Sequence, residues 1–273
     1  MNLNQILELS MVLDSEHFQK VFNNAYKVND YMNEKGEEYI DQSLSSKGIT
    51  VIYRDSQYKK KVRLIANTYL LDDVFDTDKL IRKLEKRITE YFNGKYQIDD
   101  FVLSGMNLVA DIDVGTRTNA LAYLKVFQRI GRVKGFSSAS YECFDDNASF
   151  CLSGNSNDTD FLLYDLEKFV AEQLRNADAG QKKLQTAGEQ TKGILRAEVR
   201  LMKQKAIREY TDTTDTSDQI MEMMKNSQEI FIEIFARVVP FGDFYKMDAA
   251  VEIVRSEVKD RVMRRKMLRL LAL

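Results

Sequence analysis

One segment of the chain alternates strictly between apolar and charged residues, and this alternation constrains the fold more than any other feature. The segment is 194-ILRAEVRLM-202. Its apolar positions, one at every second residue, are Leu195, Ala197, Val199 and Leu201. The charged positions between them are Arg196, Glu198 and Arg200. Because successive side chains of a β-strand point to opposite faces, the pattern predicts a strand with one apolar face and one charged face.

A second segment, 108-LVADIDVG-115, has the same period and places Asp111 and Asp113 on one face. If the two strands are neighbours, three carboxylates and two guanidinium groups meet on one polar face. A divalent cation flanked by arginines is suited to phosphodiester chemistry, because the metal polarises the phosphate and the arginines neutralise growing charge. The alternative is two half-exposed strands with ordinary cross-strand ion pairs, and the pattern alone favours that alternative.

The remaining segments predict three regions. Apolar residues at three- and four-residue spacing predict an N-terminal helical region over 1–45, and the same spacing predicts a C-terminal helical region over 206–273. Residues 46–205 are predicted to form an α+β core, with further strands at 49–54, 61–67, 100–115, 149–155 and 160–166. Because strands and helices alternate in short blocks, an antiparallel or mixed sheet with flanking terminal helices is expected.

Composition excludes several kinds of site. The chain has one histidine, His17, and two cysteines, so multi-histidine metal centres and a disulfide framework are excluded. A metal would be held mainly by carboxylates, which favours Mg²⁺ or Mn²⁺ over zinc. No apolar run of roughly 18 residues is present, so no membrane span is expected. The N-terminus does not resemble a signal peptide, and the cytoplasm is the expected compartment.

The stretch 160-DFLLYDLEKF-169 contains Tyr164, one of 13 tyrosines in the chain. Leu162 and Leu166 share its predicted strand face. Taken alone, this pattern is typical of a core tyrosine whose hydroxyl has a hydrogen-bond partner. The pattern by itself therefore does not distinguish a structural phenol from a reactive one.

The order of four segments resembles the trans-acting Rep proteins that initiate rolling-circle replication of small Gram-positive plasmids. The first segment, 61-KVRLIAN-67, is similar to their arginine–hydrophobic–asparagine strand, and 107-NLVADIDVG-115 is similar to their acidic strand. The third, 150-FCLSGNSNDTDFLLYDLEK-168, has a glycine-containing strand, a polar turn and a hydrophobic–tyrosine strand. The fourth, 194-ILRAEVRLMKQKA-206, contains the arginine–any–glutamate pattern.

This resemblance implies a nicking domain of the Rep and relaxase kind. Tyr164 would be the nucleophile that becomes joined to a 5′ phosphate at the origin. The implied metal ligands are Asp111, Asp113 and Glu198, with Mg²⁺ or Mn²⁺ as the cofactor. The implied phosphate-binding residues are Arg196, Arg200, Lys168 and Lys203.

Origin DNA, single-stranded or in a cruciform, is the implied partner. The terminal helical regions would serve origin recognition, homodimerisation or contact with a host helicase, and no membrane contact is expected. Leu166 stands where the family has a lysine, and Asn107 and Leu108 stand where it has an arginine. These departures keep two alternatives open: a non-catalytic DNA- or partner-binding protein on the same fold, and a structural α+β protein.

Overall fold

The structure is a computed structural model. It describes residues 4–21, 25–31, 36–71, 76–130, 133–141, 146–156, 158–176, 191–239 and 247–271. The chain divides into two compact units, Met1–Val238 and Val239–Leu273. Within the described ranges, no helix is long and apolar enough to cross a membrane.

The first unit is built on one sheet, to which the described residues contribute ten strands. The strands are β1 (Asn4–Leu13), β2 (Tyr26–Tyr31), β3 (Gly36–Asp41), β4 (Ile49–Ser56), β5 (Lys60–Asn67), β6 (Val102–Asp113), β7 (Phe136–Ser138), β8 (Ser149–Gly154), β9 (Thr159–Asp165) and β10 (Ile194–Leu201). Their order is β2-β3-β4-β5-β1-β6-β10-β9-β8-β7, and every neighbouring pair is antiparallel. The α+β class with an antiparallel sheet is therefore confirmed.

The described residues of the first unit form the α-helices α1 (Ser15–Val21), α2 (Thr77–Tyr91), α3 (Arg117–Phe127), α4 (Leu166–Asn176), α5 (Gln204–Arg208), α6 (Thr216–Lys225) and α7 (Ser227–Val238). The second unit, taken by itself, contains α8 (Met247–Glu257) and α9 (Arg261–Leu271). Helix α2 begins after Asp76, because the Asp76 side chain accepts a hydrogen bond from the Lys79 amide.

The prediction of a helical region over 1–45 is wrong. Strand β1 lies between β5 and β6 inside the sheet, and β2 and β3 extend the sheet at one edge. The buried apolar residues of β1 are those at every second position, Leu7, Leu9, Met11 and Leu13. Spacings of two and of three or four residues coexist in this short segment, and pairing with two neighbouring strands selects the strand.

One face of the sheet is apolar and covered by helices. Its fully buried side chains include Leu7, Val51, Leu64, Leu108, Phe161 and Val199. Phe235 of α7 contacts Phe161 at 5.8 Å between ring centroids, and Tyr91 of α2 hydrogen bonds to Tyr53 at 2.8 Å. Burial of each large aliphatic side chain contributes roughly 1.5–3 kcal/mol, so this face supplies the main core.

A close approach of two turns aligns β6 with β10. Gly193 has a φ of 70°, and its carbonyl accepts a hydrogen bond from the Val114 amide at 2.9 Å. A Cβ atom at Gly193 would lie 2.7 Å from the backbone of Gly115, so a side chain is excluded there. The turn therefore fixes the register of Ile194 opposite Asp113, from which the pairing of the two charged strands follows.

Candidate active site on the polar face

The sheet register places the charged positions of β6 and β10 on one face, together with Tyr164 of β9. Arg196 lies opposite Asp111 on one side and opposite Tyr164 on the other. Glu198 lies in the next row, between Val109 and Leu162. This side of the sheet is called the polar face below, and it includes Asn107, Asp111, Asp160, Tyr164, Arg196, Glu198 and Arg200. The two alternating strands are neighbours, which meets the condition under which the sequence places their charged side chains on one face.

Glu198 is the centre of a fully hydrogen-bonded group, called the tyrosine–glutamate site below. The Tyr164 hydroxyl donates to Oε2 of Glu198 at 3.1 Å. The other oxygen, Oε1, accepts from Nε of Arg200 at 2.8 Å and from Nδ2 of Asn107 at 2.9 Å. Glu198 is 4% exposed, so these three donors compensate for the burial of its carboxylate.

Tyr164 is a buried phenol with a raised pKa. The residue is 3% exposed, and the ring of Phe169 on α4 lies 5.2 Å from its ring. Burial raises the pKa of the Tyr164 hydroxyl, and the nearby Glu198 carboxylate raises it further. Tyr164 is therefore protonated at neutral pH, and a reaction at its oxygen requires a group that accepts the proton.

Arg196 is held by a two-point ion pair with Asp111. Its Nε and a terminal nitrogen donate to the two Asp111 carboxylate oxygens at 2.6 and 2.7 Å. Burial opposes the charge of Arg196, but these hydrogen bonds and the Asp111 charge outweigh it, and the net pKa of Arg196 is raised. Both oxygens of Asp111 are thus directed at a cation on the protein itself.

Asp113 lies away from the tyrosine–glutamate site. It is exposed, it pairs in register with Ile194, and its Oδ1 accepts from the Gly115 amide at 2.8 Å. Four strand positions separate it from Val109, the residue opposite Glu198, which is roughly 13 Å at the rise of a strand.

The donor set does not fit a three-carboxylate metal site. Glu198 and Asp111 use their oxygens on protein donors, Asp113 lies too far along β6, and no group of three potential metal ligands occurs among the described residues. Magnesium or manganese dependence stays a prediction, and no step below depends on a bound metal.

The two lysines predicted to bind phosphate lie in different places. Lys168 is on α4, where its ammonium lies 4.0 Å from Glu172. Lys203 follows β10, and its ammonium donates to the Ser156 carbonyl at 3.1 Å. Ser156 lies in the turn before β9 begins, whereas Tyr164 is near the other end of that strand. The structure does not bring Lys203 and Tyr164 together.

The structure adds three polar residues to the site, Asn107, Tyr141 and Asp160, to which the sequence assigns no role there. Asn107 is one, through its bond to Glu198. Tyr141 donates to Asp160, which is 1% exposed and lies opposite Arg200 in the register. The Arg200 guanidinium lies 5.8 Å from the centre of the Tyr141 ring. Asn107 and Asp111 are four residues apart on β6, so the period of a strand indicates that they share a face. No pattern in the sequence indicates the contact between Tyr141 and Asp160.

No family model matches the chain, and no curated protein matches its sequence. The chain is similar to a solved structure described as the rolling circle replication initiator protein from Geobacillus stearothermophilus, with 11% identity and a TM-score of 0.36 over 95% of this chain and 89% of that one. Because this score does not establish a shared fold, the functional proposal depends on the side chains of the site.

Proposed function

We propose that the protein is a DNA replication-initiation protein that nicks one strand at an origin through Tyr164 and forms a 5′-phosphotyrosine link. The observation that carries the proposal is the 3.1 Å hydrogen bond from the Tyr164 hydroxyl to Glu198. Tyr164 is the nucleophile, and Glu198 is the carboxylate that accepts its proton. Arg196 and Arg200 lie on the same face of the sheet. These residues lie on strands that follow one another along the chain in the same order as the corresponding motifs of Rep proteins.

The reaction follows from these contacts. The Tyr164 oxygen attacks the scissile phosphorus, and its proton passes to Oε2 of Glu198 along the existing hydrogen bond. A bond forms between the tyrosine oxygen and phosphorus, while the bond from phosphorus to the 3′ oxygen breaks. The released 3′ oxygen takes a proton from water. The phosphotyrosine bond keeps the energy of the phosphodiester, so a later 3′ hydroxyl can reverse the step and rejoin the strand.

Arg196 and Arg200 lie on the same face as the attacking oxygen, one in its own row and one two rows away. Guanidinium groups bind phosphate oxygens through charge-assisted hydrogen bonds, and they neutralise charge that grows during transfer. Arg200 also orients Glu198 through its 2.8 Å bond to Oε1. The proposed partner is origin DNA, single-stranded or in a cruciform, while helicase contact, homodimerisation and a cytoplasmic location stay predictions.

A second candidate, a non-catalytic DNA- or partner-binding protein on the same fold, is favoured by the burial of Tyr164. Its side chain is 3% exposed, and Phe169 packs against its ring. A phosphate therefore reaches the hydroxyl only if α4 shifts. The distance of Asp113 from Glu198 favours the same candidate.

A covalent adduct distinguishes the two candidates. The full chain is incubated with single-stranded origin oligonucleotides, with Mn²⁺ and without added metal, and run on a denaturing gel. We expect a DNA–protein adduct with the wild type and none with Tyr164→Phe, while the matched control Tyr123→Phe, an exposed tyrosine of α3, keeps the adduct. An adduct that survives Tyr164→Phe contradicts the proposal. DNA binding without any adduct supports the non-catalytic candidate.

A further inference from the structure

A second charged cluster lies on the polar face, on strands β4 and β5. Arg54 and Lys61 are direct cross-strand partners, and Arg63 lies two positions from Lys61 on the same face. These three residues are called the basic patch. Like charges directly opposite each other destabilise an antiparallel pair, so the pairing of Arg54 with Lys61 is unfavourable by itself.

Carboxylates of the protein neutralise only part of the positive charge of the basic patch. Glu8 pairs with Arg63 at 3.0 Å, and Glu38 lies 3.6 Å from Arg54. No hydrogen bond or salt bridge within the described ranges involves the ammonium of Lys61. The Nε of Arg63 is a buried donor without a hydrogen-bond partner there. The patch therefore has donor capacity that the described part of the chain does not use.

The electrostatic environment of Lys61 agrees with this geometry. Partial burial lowers its pKa, Glu8 opposes that shift, and the neighbouring charges of Arg63, Arg54 and Lys59 lower it further. Each of these cations is stabilised if an anion binds between them. Lysine presents a compact charge with three donors, which suits a phosphate oxygen.

The patch shares its sheet face with Tyr164. From β5 the order runs through β1, β6 and β10 to β9, which is four strand spacings or roughly 19 Å across the sheet. The register adds an offset along the strands, because Arg63 lies in the row of Val102 and Tyr164 in the row of Asp111, nine positions or roughly 30 Å apart on β6. At the β5 end, Val12 lies opposite Lys61 and is 61% exposed, whereas Arg54, Lys61 and Arg63 are themselves half-buried. One strand of DNA on this face can contact both places.

We propose that Arg54, Lys61 and Arg63 form a phosphate-binding site for the backbone of single-stranded DNA, separate from the tyrosine–glutamate site. The assignment of the phosphate to DNA rests on the proposed function. The site holds the strand and takes no part in bond breaking.

The test measures two effects of Lys61→Glu, on the melting temperature and on the affinity for single-stranded DNA, which are expected to differ in direction. A glutamate there faces Arg54 directly, so the melting temperature is expected to stay equal or rise. Binding of a thymidine oligonucleotide of about 20 nucleotides is expected to weaken roughly tenfold, and the slope of log K against log salt to fall by about 0.7 for each lost phosphate contact. The measurement is fluorescence anisotropy in a Tyr164→Phe background, which removes any covalent step.

Two variants serve as controls. Lys95→Glu makes the same charge change at an exposed residue of the turn after α2. Because salt screens an exposed charge, this variant is expected to change the affinity for DNA by less than about twofold. Lys61→Arg keeps the charge and is expected to keep wild-type affinity. A Lys61→Glu variant that binds DNA like Lys95→Glu overturns the basic patch, even if the Tyr164 adduct forms.

The remaining outcomes separate the two proposals. Weaker binding by Lys61→Glu without any Tyr164 adduct supports the patch and rejects the nicking function. Inorganic phosphate alone is the second probe. If it raises the melting temperature of the wild type but not of Lys61→Glu, and the oligonucleotide does not bind, the backbone assignment is overturned and the site binds a free phosphate.

Discussion

In the tyrosine–glutamate site every oxygen of Glu198 accepts a hydrogen bond from the protein, whereas in the basic patch the ammonium of Lys61 has no such partner in the described structure. Both lie on one face of the same sheet. The first is buried under α4, and the second adjoins the exposed side chain of Val12.

The difference indicates a division of roles along the sheet. A buried, fully bonded carboxylate next to a phenol is preorganised to move a proton, because its donors hold it in one position. A half-buried group of cations with unused donors is not preorganised for chemistry, but it attracts and holds an anion. We therefore expect substitutions in the first region to change reaction rate, and substitutions in the second to change affinity and its salt dependence.

Glu198→Gln gives the largest expected effect on rate after removal of the nucleophile itself. Glutamine keeps an oxygen for Arg200 but no longer accepts the tyrosine proton as a carboxylate does. We expect single-turnover nicking to slow by about 10²–10⁴-fold, the usual contribution of a general base, with oligonucleotide affinity changed by no more than about twofold.

The matched control is Glu229→Gln, an exposed glutamate in the first turn of α7. It is expected to nick at the wild-type rate. If Glu198→Gln loses affinity and keeps its rate, the division between a reacting region and a holding region is wrong.

Asp111 and Asp113 give a smaller effect that tests whether carboxylates beyond Glu198 take part. Asp111 is bonded to Arg196, and Asp113 is roughly 13 Å along β6 from the row of Glu198. We expect Asp113→Asn to nick within about twofold of the wild type, and Asp111→Asn to bind DNA a few-fold more tightly because Arg196 is released toward phosphate.

The measurement is nicking rate against Mn²⁺ concentration for both variants. A loss of Mn²⁺-stimulated nicking in either variant would show that the aspartate reaches the reacting phosphate, as the resemblance to Rep proteins implies. The tyrosine–glutamate site would then require a rearranged β6 in the DNA complex.

The smallest effect is on stability at high pH, where the two regions have opposite signs. The pKa of Tyr164 is raised, so above about pH 10 the unfolded state binds fewer protons than the folded state and the free energy of unfolding falls. The pKa of Lys61 is lowered, so as pH rises toward 10.5 the unfolded state binds more protons and the free energy of unfolding rises.

Urea denaturation at several pH values from about 9 to about 11 checks these signs. Tyr164→Phe should make the fall above pH 10 less steep, and Lys61→Gln should remove part of the rise. Each change is at most about 1.4 kcal/mol per pH unit, the limit for one proton. The same sign for both variants would contradict the assigned environments.

The sequence predicted the part of the fold where one periodicity is unambiguous. Strands β6 and β10 alternate strictly, and the structure pairs them with Arg196 opposite Asp111. The segment of β1 has apolar residues that fit both a helix and a strand, and only its pairing with β5 and β6 selects the strand. The local sequence pattern does not show which distant strands will pair with a segment. For this reason the prediction of a helical region over 1–45 was wrong.

The candidate site shows the same limit. Alternation placed Asp111, Asp113 and Glu198 on one face but did not give their separation, because the register of β6 against β10 depends on the turn at Gly193. The contact of Tyr164 with Glu198 needed one further pairing, β9 with β10, which local pattern does not give. The resemblance implied only that both residues belong to one site. Asn107 became visible as a partner of Glu198 only in the structure.

The most direct test of the central claim is identification of the amino acid joined to DNA. Wild-type protein is reacted with an origin oligonucleotide, digested with protease and nuclease, and analysed by mass spectrometry. The proposed mechanism predicts a nucleotide attached through its 5′ phosphate to Tyr164, in the peptide that contains 160-DFLLYDLEK-168. Attachment at any other tyrosine, or a nicked product with no protein attached, would contradict it.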